Sequence, residues 1–234
     1  MINNYHDTNS NNIADFDTTH NTNIICIYLH GFASGPNSHK AVEFKNFLNI
    51  YNIELLIPDL NQGDFTSMTL SGQLSQLGKI ITQIHNKQIM LIGSSMGGLL
   101  ASLLAERYPQ ISKIISLAPA FCMSDRWREL MLLDENTMWC TTKTKKVFHY
   151  AYNKETDLSY NFMLDLLSYD TKNFLRDIKT LIFHGIHDTV VPIILSEEYA
   201  KTHHNALLIS LDDDHSLHKN LNFIMEKTIK FILE

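Results

Sequence analysis

Gly93-Ser94-Ser95-Met96-Gly97 stands between an apolar run at 88–92 and a run of small and apolar residues at 98–108. A strand that ends there must turn within a few residues and continue as a helix, and the flanking glycines leave room for the turn. The middle residue of such a turn is held in strained backbone with its side chain exposed, so Ser95 is a candidate nucleophile. Ser94 precedes it at the variable position. The five residues alone recur by chance in turns with no chemical role, and the strand and helix on either side favour the functional reading.

A serine hydroxyl needs a base within hydrogen-bond reach, and two later segments supply one. Thr180-Leu181-Ile182-Phe183-His184-Gly185 reads as a short buried strand, and the loop after it carries Asp188. Ala206-Leu207-Leu208-Ile209-Ser210-Leu211 reads as the next strand, followed by Asp212-Asp213-Asp214-His215-Ser216. The chain order is therefore serine, acid, histidine, which differs from the orders of chymotrypsin-like and subtilisin-like proteases. His215 competes with eleven other histidines, His218 above all, and Asp188 with Asp212, Asp213 and Asp214. Those three aspartates suit solvated loop or cap positions before the last helix. Upstream, the β-rich run Ile24-Ile25-Cys26-Ile27-Tyr28-Leu29 ends in a loop of turn formers. Backbone N–H groups of Phe32 in that loop and of Met96 after the nucleophile are the expected oxyanion donors. His30 beside them is expected to fix the loop, and His184 to be a satisfied buried imidazole.

The motifs that carry a family resemblance are Tyr28-Leu29-His30-Gly31-Phe32-Ala33-Ser34-Gly35-Pro36-Asn37-Ser38-His39-Lys40-Ala41, Ile57-Pro58-Asp59-Leu60, Ile92-Gly93-Ser94-Ser95-Met96-Gly97-Gly98, Leu117-Ala118-Pro119-Ala120, Phe183-His184-Gly185 with Asp188 and Val191-Pro192, and Asp214-His215. With them the chain resembles the small bacterial serine esterases of the YqiA/YcfP-like group within the α/β-hydrolase superfamily, from about residue 24 to the C-terminus. The resemblance implies that fold, an esterase-type activity, and triad roles for Ser95, Asp188 and His215. It does not define a natural substrate.

Between the motifs, strand and helix alternate: 38–51 is amphipathic, 53–57 apolar, 69–85 helical in period, 88–92 and 113–117 apolar, and 217–233 a final helix. The expected fold is α/β, a mostly parallel sheet of about six strands flanked by helices, with the three site residues at one sheet edge. Residues 24–234 form one domain on this reading, since 234 residues with 44% hydrophobic content suit a single core. Residues 121–178 interrupt the rhythm and are expected to form a helical cap. In it Trp127, Met131, Phe162 and Met163 are candidate acyl-pocket residues, with burial in the cap's own core as the alternative.

Nineteen basic against 25 acidic residues, net −6, argue against nucleic acid as a partner. Cys26, Cys122 and Cys140 are odd in number and widely spaced, which suits a reducing, cytoplasmic setting over a disulfide framework. Residues 1–23, rich in Asn, Asp and Thr without an apolar core, read as a disordered tail. No segment has the length of apolar residues that a membrane span needs. His184/His187 and His215/His218 lack a companion glutamate and a cysteine cluster, so no metal and no cofactor are expected.

The expected reaction is hydrolysis of small or medium acyl esters through an acyl-enzyme on Ser95. An acyl thioesterase acting on acyl-CoA or acyl-protein needs the same triad, and a non-catalytic binding protein on this scaffold is the alternative from another class. Dehalogenation needs a carboxylate at the elbow, and peptide hydrolysis is separable only by substrate tests. Oligomeric state is not legible.

Overall fold

The computed structural model describes residues 23–61, 63–131 and 139–234, the side chains of residues 130 and 131 excepted. All but one residue of the expected tail at 1–23, and the side chain of Met131, lie outside the described residues.

Six strands form a parallel sheet: β1 (Ile24–Leu29), β2 (Glu54–Leu56), β3 (Gln88–Ser94), β4 (Ile111–Leu117), β7 (Lys179–Gly185) and β8 (Ala206–Leu211), in the order β2-β1-β3-β4-β7-β8. The central strands are apolar almost throughout because both faces are covered, and alternation sorts their side chains between two cores. Ile25, Ile27, Leu29, Ile89 and Leu91 join one core, while Cys26, Tyr28, Met90 and Ile92 join the other.

Helices α2 (Leu70–Gln83) and α3 (Met96–Arg107) cover the first face, through Leu74, Leu77 and Ile81 of α2 and Leu99, Leu100, Leu103 and Leu104 of α3. Helix α2 starts at Thr69, whose hydroxyl accepts the Gly72 N–H at 3.0 Å and satisfies one of the free donors of the first turn. Helix α1 (His39–Ile50) and the last helix, α7 (Leu221–Leu233), cover the other face with Ala41, Phe44 and Leu48, and with Ile224, Met225, Ile229 and Ile232. Helix α6 (Ile194–Thr202) lies between β7 and β8. The final helix begins at Leu221, four residues later than its apolar period suggests, because residues 212–220 are taken up by the loop after β8.

Between β4 and β7 the interruption of the rhythm is real, and its content is mixed. It holds helix α4 (Met123–Met131), an antiparallel hairpin of β5 (Thr144–His149) and β6 (Lys154–Ser159), and helix α5 (Tyr160–Leu166). The hairpin departs from the helical expectation. Half of the residues of its strands are exposed and most are charged or polar, so they carry no apolar period to betray them. Phe162 and Met163 sit on α5 as expected, fully buried.

Candidate active site

Strand β3 ends at Ser94, helix α3 begins at Met96, and Ser95 between them has φ 53° and ψ −116°. That left-handed backbone is costly for a residue with a Cβ, and its neighbours over-determine it. Ser95 N–H donates to Leu117 O at 2.9 Å, while its carbonyl accepts the N–H groups of Gly98 at 2.9 Å and Ala120 at 3.0 Å. The turn closes only because the flanking glycines are bare: a Cβ on Gly93 would stand 2.3 Å from Gly97 O, and one on Gly97 would stand 1.9 Å from Leu29 O.

His215 and Asp188 reach this serine from the loops after β8 and β7. His215 Nε2 lies 3.1 Å from Ser95 Oγ, and His215 Nδ1 lies 2.7 Å from Asp188 Oδ2. The Asp188 side chain is 0% exposed and that of His215 24% exposed. Asp188 divides its two oxygens. Oδ1 accepts the N–H groups of Val190 and Val191, both at 2.8 Å, which closes the loop after β7. Oδ2 faces His215 and, at 3.1 Å, Nε2 of His184. Burial opposes ionisation of this carboxyl, but hydrogen bonds from His184, His215 and the Val191 N–H outweigh it and hold it far below the usual carboxylate range.

His184 is fully buried in β7, and its partners fix its tautomer. Nε2 faces the carbonyl of Val191 at 2.9 Å as well as Asp188, so that nitrogen carries the proton, and Nδ1 accepts the Ser196 hydroxyl at 2.7 Å. Its expected role as a satisfied imidazole stands, with the added fact that one of its partners is the site carboxylate.

The competing residues are engaged elsewhere. Asp212 pairs with His187 at 2.9 Å and with Lys219. Asp213 accepts from the backbone N–H groups of Asp214 at 2.9 Å and Asn220 at 3.0 Å. Asp214 accepts from Ser216, and His218 packs edge-on against His39, 5.2 Å between ring centroids. His184 and His187 thus face different carboxylates. The two loops are laced together, since Ile186 N–H donates to Leu211 O at 2.9 Å and His187 N–H to Asp213 O at 3.0 Å. Lys40 of α1 adds a clasp, its ammonium donating to Ser216 O at 2.7 Å, while burial pushes that amine down to about 8 against the pull of Asp213, Asp214 and Asp188.

The loop after β1 brings Phe32 beside Ser95. It is pinned by His30, which donates from Nδ1 to Gly31 O at 2.9 Å and accepts the Leu60 N–H at Nε2 at 3.0 Å. Burial lowers the pKa of this imidazole and favours the neutral ring that both bonds require. Asn61 donates to Ser34 O at 2.9 Å and Tyr150 N–H to Ala33 O at 2.8 Å, so the hairpin of the insertion also braces this loop.

Two cavities meet at Ser95. One, about 240 Å³, is lined by Phe32, Met96, Phe121, Met123, Trp127, Val190 and Val191, with Ala120 and Arg126. The other, about 870 Å³, opens past His215 and is bordered by Asn37, Ser38, His39, Lys40, Tyr150, Asp214 and His218. Of the expected pocket residues, Trp127 lines the small cavity. Phe162 and Met163 line neither: they are fully buried behind the wall, where the Phe162 ring lies 5.5 Å from Phe32 and 5.4 Å from Trp127. Arg126, Phe121 and Met123 were not legible as site residues, because they become neighbours of Ser95 only through the crossing of the insertion over the sheet edge, and Lys40 was not because it meets the site from α1 on the far side of His215.

The chain belongs to the family described as Uncharacterised protein family UPF0227, whose model matches residues 25–232 and which corresponds to the YqiA/YcfP-like group. Its fold is that of the α/β-hydrolases. It is similar to Est1E of Butyrivibrio proteoclasticus, solved with ferulic acid bound, at 22% identity and a TM-score of 0.78 over 93% of this chain and 91% of that one. It is also similar to the mouse alpha/beta hydrolase domain-containing protein 10, at 17% identity, TM-score 0.76 and 89% coverage of each chain. A structure from the metagenome-derived lipolytic enzymes LipS and LipT aligns at 16% identity and TM-score 0.72 over 90% of this chain and 93% of that one. No curated protein matches significantly. Among the described residues, no helix is long and apolar enough to cross a membrane.

Proposed function

We propose that the protein is a serine carboxylic-ester hydrolase that cleaves small or medium acyl esters through an acyl-enzyme on Ser95. The observation that carries this reading is the continuous relay from Ser95 Oγ through His215 to Asp188, at 3.1 and 2.7 Å, on a strained elbow. His215 takes the proton of Ser95 as Oγ bonds to the acyl carbon, Asp188 holds the imidazole in its working tautomer, and the Phe32 and Met96 N–H groups receive the oxyanion. The carbon–oxygen bond to the leaving alcohol then breaks, and the alcohol departs with the proton from His215. Water, deprotonated by the same histidine, releases the acid.

The two cavities divide the substrate. His215 borders the large cavity and not the small one, and the leaving group must collect its proton from His215. The alcohol therefore leaves on the wider side, bordered by Ser38, His39, Lys40 and His218, and the acyl chain occupies the narrow side beneath helix α4. A thioester suits the same geometry, and the width of the leaving-group side is the feature that favours it. Cys26, Cys122 and Cys140 are thiols and not disulfide partners, which supports a reducing compartment.

The test compares wild type with Ser95→Ala on p-nitrophenyl esters of increasing acyl length beside matched acyl-CoAs. The reading expects turnover that falls off at long acyl chains and disappears in the variant. Faster acyl-CoA turnover would move the assignment to thioesterase, and no turnover of either series by folded protein would favour the binding-only alternative.

A further inference from the structure

The relay leaves one charged group of the acyl cavity without a task. Arg126 of α4 lines that cavity, and apart from Ser95 every other lining residue is apolar. The charges beside it are spent elsewhere: Asp125 accepts from Arg128 at 2.9 Å and from Lys172 at 3.0 Å. Among the described residues no carboxylate pairs with Arg126, which is itself half-buried. A cation beside an apolar cavity, with no counter-charge among the described residues, is matched by a ligand that brings an anion into that cavity. The planar guanidinium fork is matched to a carboxylate.

We propose that Arg126 receives a carboxylate at the far end of the acyl chain, so that the preferred substrates are half-esters of short dicarboxylic acids. The inference rests on the placement of the acyl chain in the small cavity. The apolar walls formed by Met123, Trp127 and Val191 hold the methylenes, and Ser95 and Arg126 grip the two ends. Chain length is thereby bounded on both sides. A diacid that is too short leaves its carboxylate in apolar surroundings, and one that is too long carries it past the guanidinium.

The experiment measures methanol release from monomethyl succinate, glutarate and adipate, each beside a neutral methyl ester of matched length, by wild type, Arg126→Gln and Arg126→Lys. Wild type is expected to prefer one half-ester over its neutral match by about tenfold to a hundredfold in kcat/KM, the range of charge-assisted hydrogen bonds, mostly through KM. Arg126→Gln should erase that preference, and Arg126→Lys should restore part of it, since it returns the charge without the fork. Equal or better turnover of the neutral esters, or a preference that survives Arg126→Gln, overturns the proposal and leaves the esterase reading intact. Turnover of neither set by protein whose Ser95 still reacts with a fluorophosphonate also overturns the dicarboxylate proposal alone, and turnover of neither set with unreactive Ser95 overturns both.

Discussion

The loops that carry Ser95, Asp188 and His215 are held by backbone hydrogen bonds, whereas the roof around Trp127 packs through ring contacts. At the sheet edge the Ser95 carbonyl accepts three N–H groups, Asp188 Oδ1 accepts two more, and the acid loop donates two to Leu211 O and Asp213 O. In the roof, Trp127 contacts Phe32, Trp139 and Phe162 with centroids 5.6, 6.1 and 5.4 Å apart, and polar anchors lie at its margins, where Asp165 accepts from Ser71 and Thr171 O accepts the Cys122 N–H at 2.8 Å. Backbone bonds are directional and fix atoms to fractions of an ångström, while packed rings tolerate exchange of shape. Chemistry and selectivity should therefore be separable by mutation.

The most severe break is at the elbow. Ser95→Ala should lower kcat by about 10⁴-fold or more, and Gly97→Ala should match it for a different reason, because its new Cβ meets Leu29 O and drives α3 away from β1. Circular dichroism and thermal melts distinguish the two: the serine variant keeps the wild-type Tm, and the glycine variant melts several degrees lower. Next comes Asp188→Asn, expected to cost about 10⁴-fold in kcat by presenting the wrong hydrogen-bond pattern to His215. A loss below tenfold would show that the His184 side of the carboxylate dominates.

Smaller effects belong to the roof. Trp127→Ala should shift the ratio of kcat/KM between longer and shorter acyl esters by about tenfold, the scale of a few methylenes in a pocket. An equal loss on every chain length would place the ring outside the acyl path. The smallest effect concerns stability. The depressed Asp188 carboxyl contributes stability that is complete above its ordinary pKa, about 4, and is lost as pH falls through its lower folded value. Denaturant titrations should show wild-type stability declining below about pH 4 and a flatter decline in Asp188→Asn, and parallel curves would contradict the assigned cause.

Sequence reading reached the sheet edge much further than the roof, for a physical reason. Ser95, Asp188, His215 and Phe32 follow apolar strands, and a strand's end fixes where the next few residues lie. The insertion offers no such frame. Its hairpin has exposed strands such as Thr144-Lys145-Lys146-Val147-Phe148-His149, whose pairing rests on backbone bonds and not on an apolar face. Phe162 and Met163 have the helical spacing of pocket residues, but spacing reports only that a side chain is buried, and here it is buried behind Phe32 and Trp127. Arg126 reads as one charge among several on an amphipathic helix, and only the crossing of α4 over Ser95 sets it apart.

The central claim is that Ser95 is the nucleophile. Its most direct test is to incubate wild type and Ser95→Ala with a fluorophosphonate and locate the adduct by peptide mass spectrometry. The account predicts one stoichiometric adduct, on the peptide containing Ser95, absent from the variant and suppressed in His215→Ala. An unmodified wild type, or an adduct on any other residue that persists in Ser95→Ala, would contradict it.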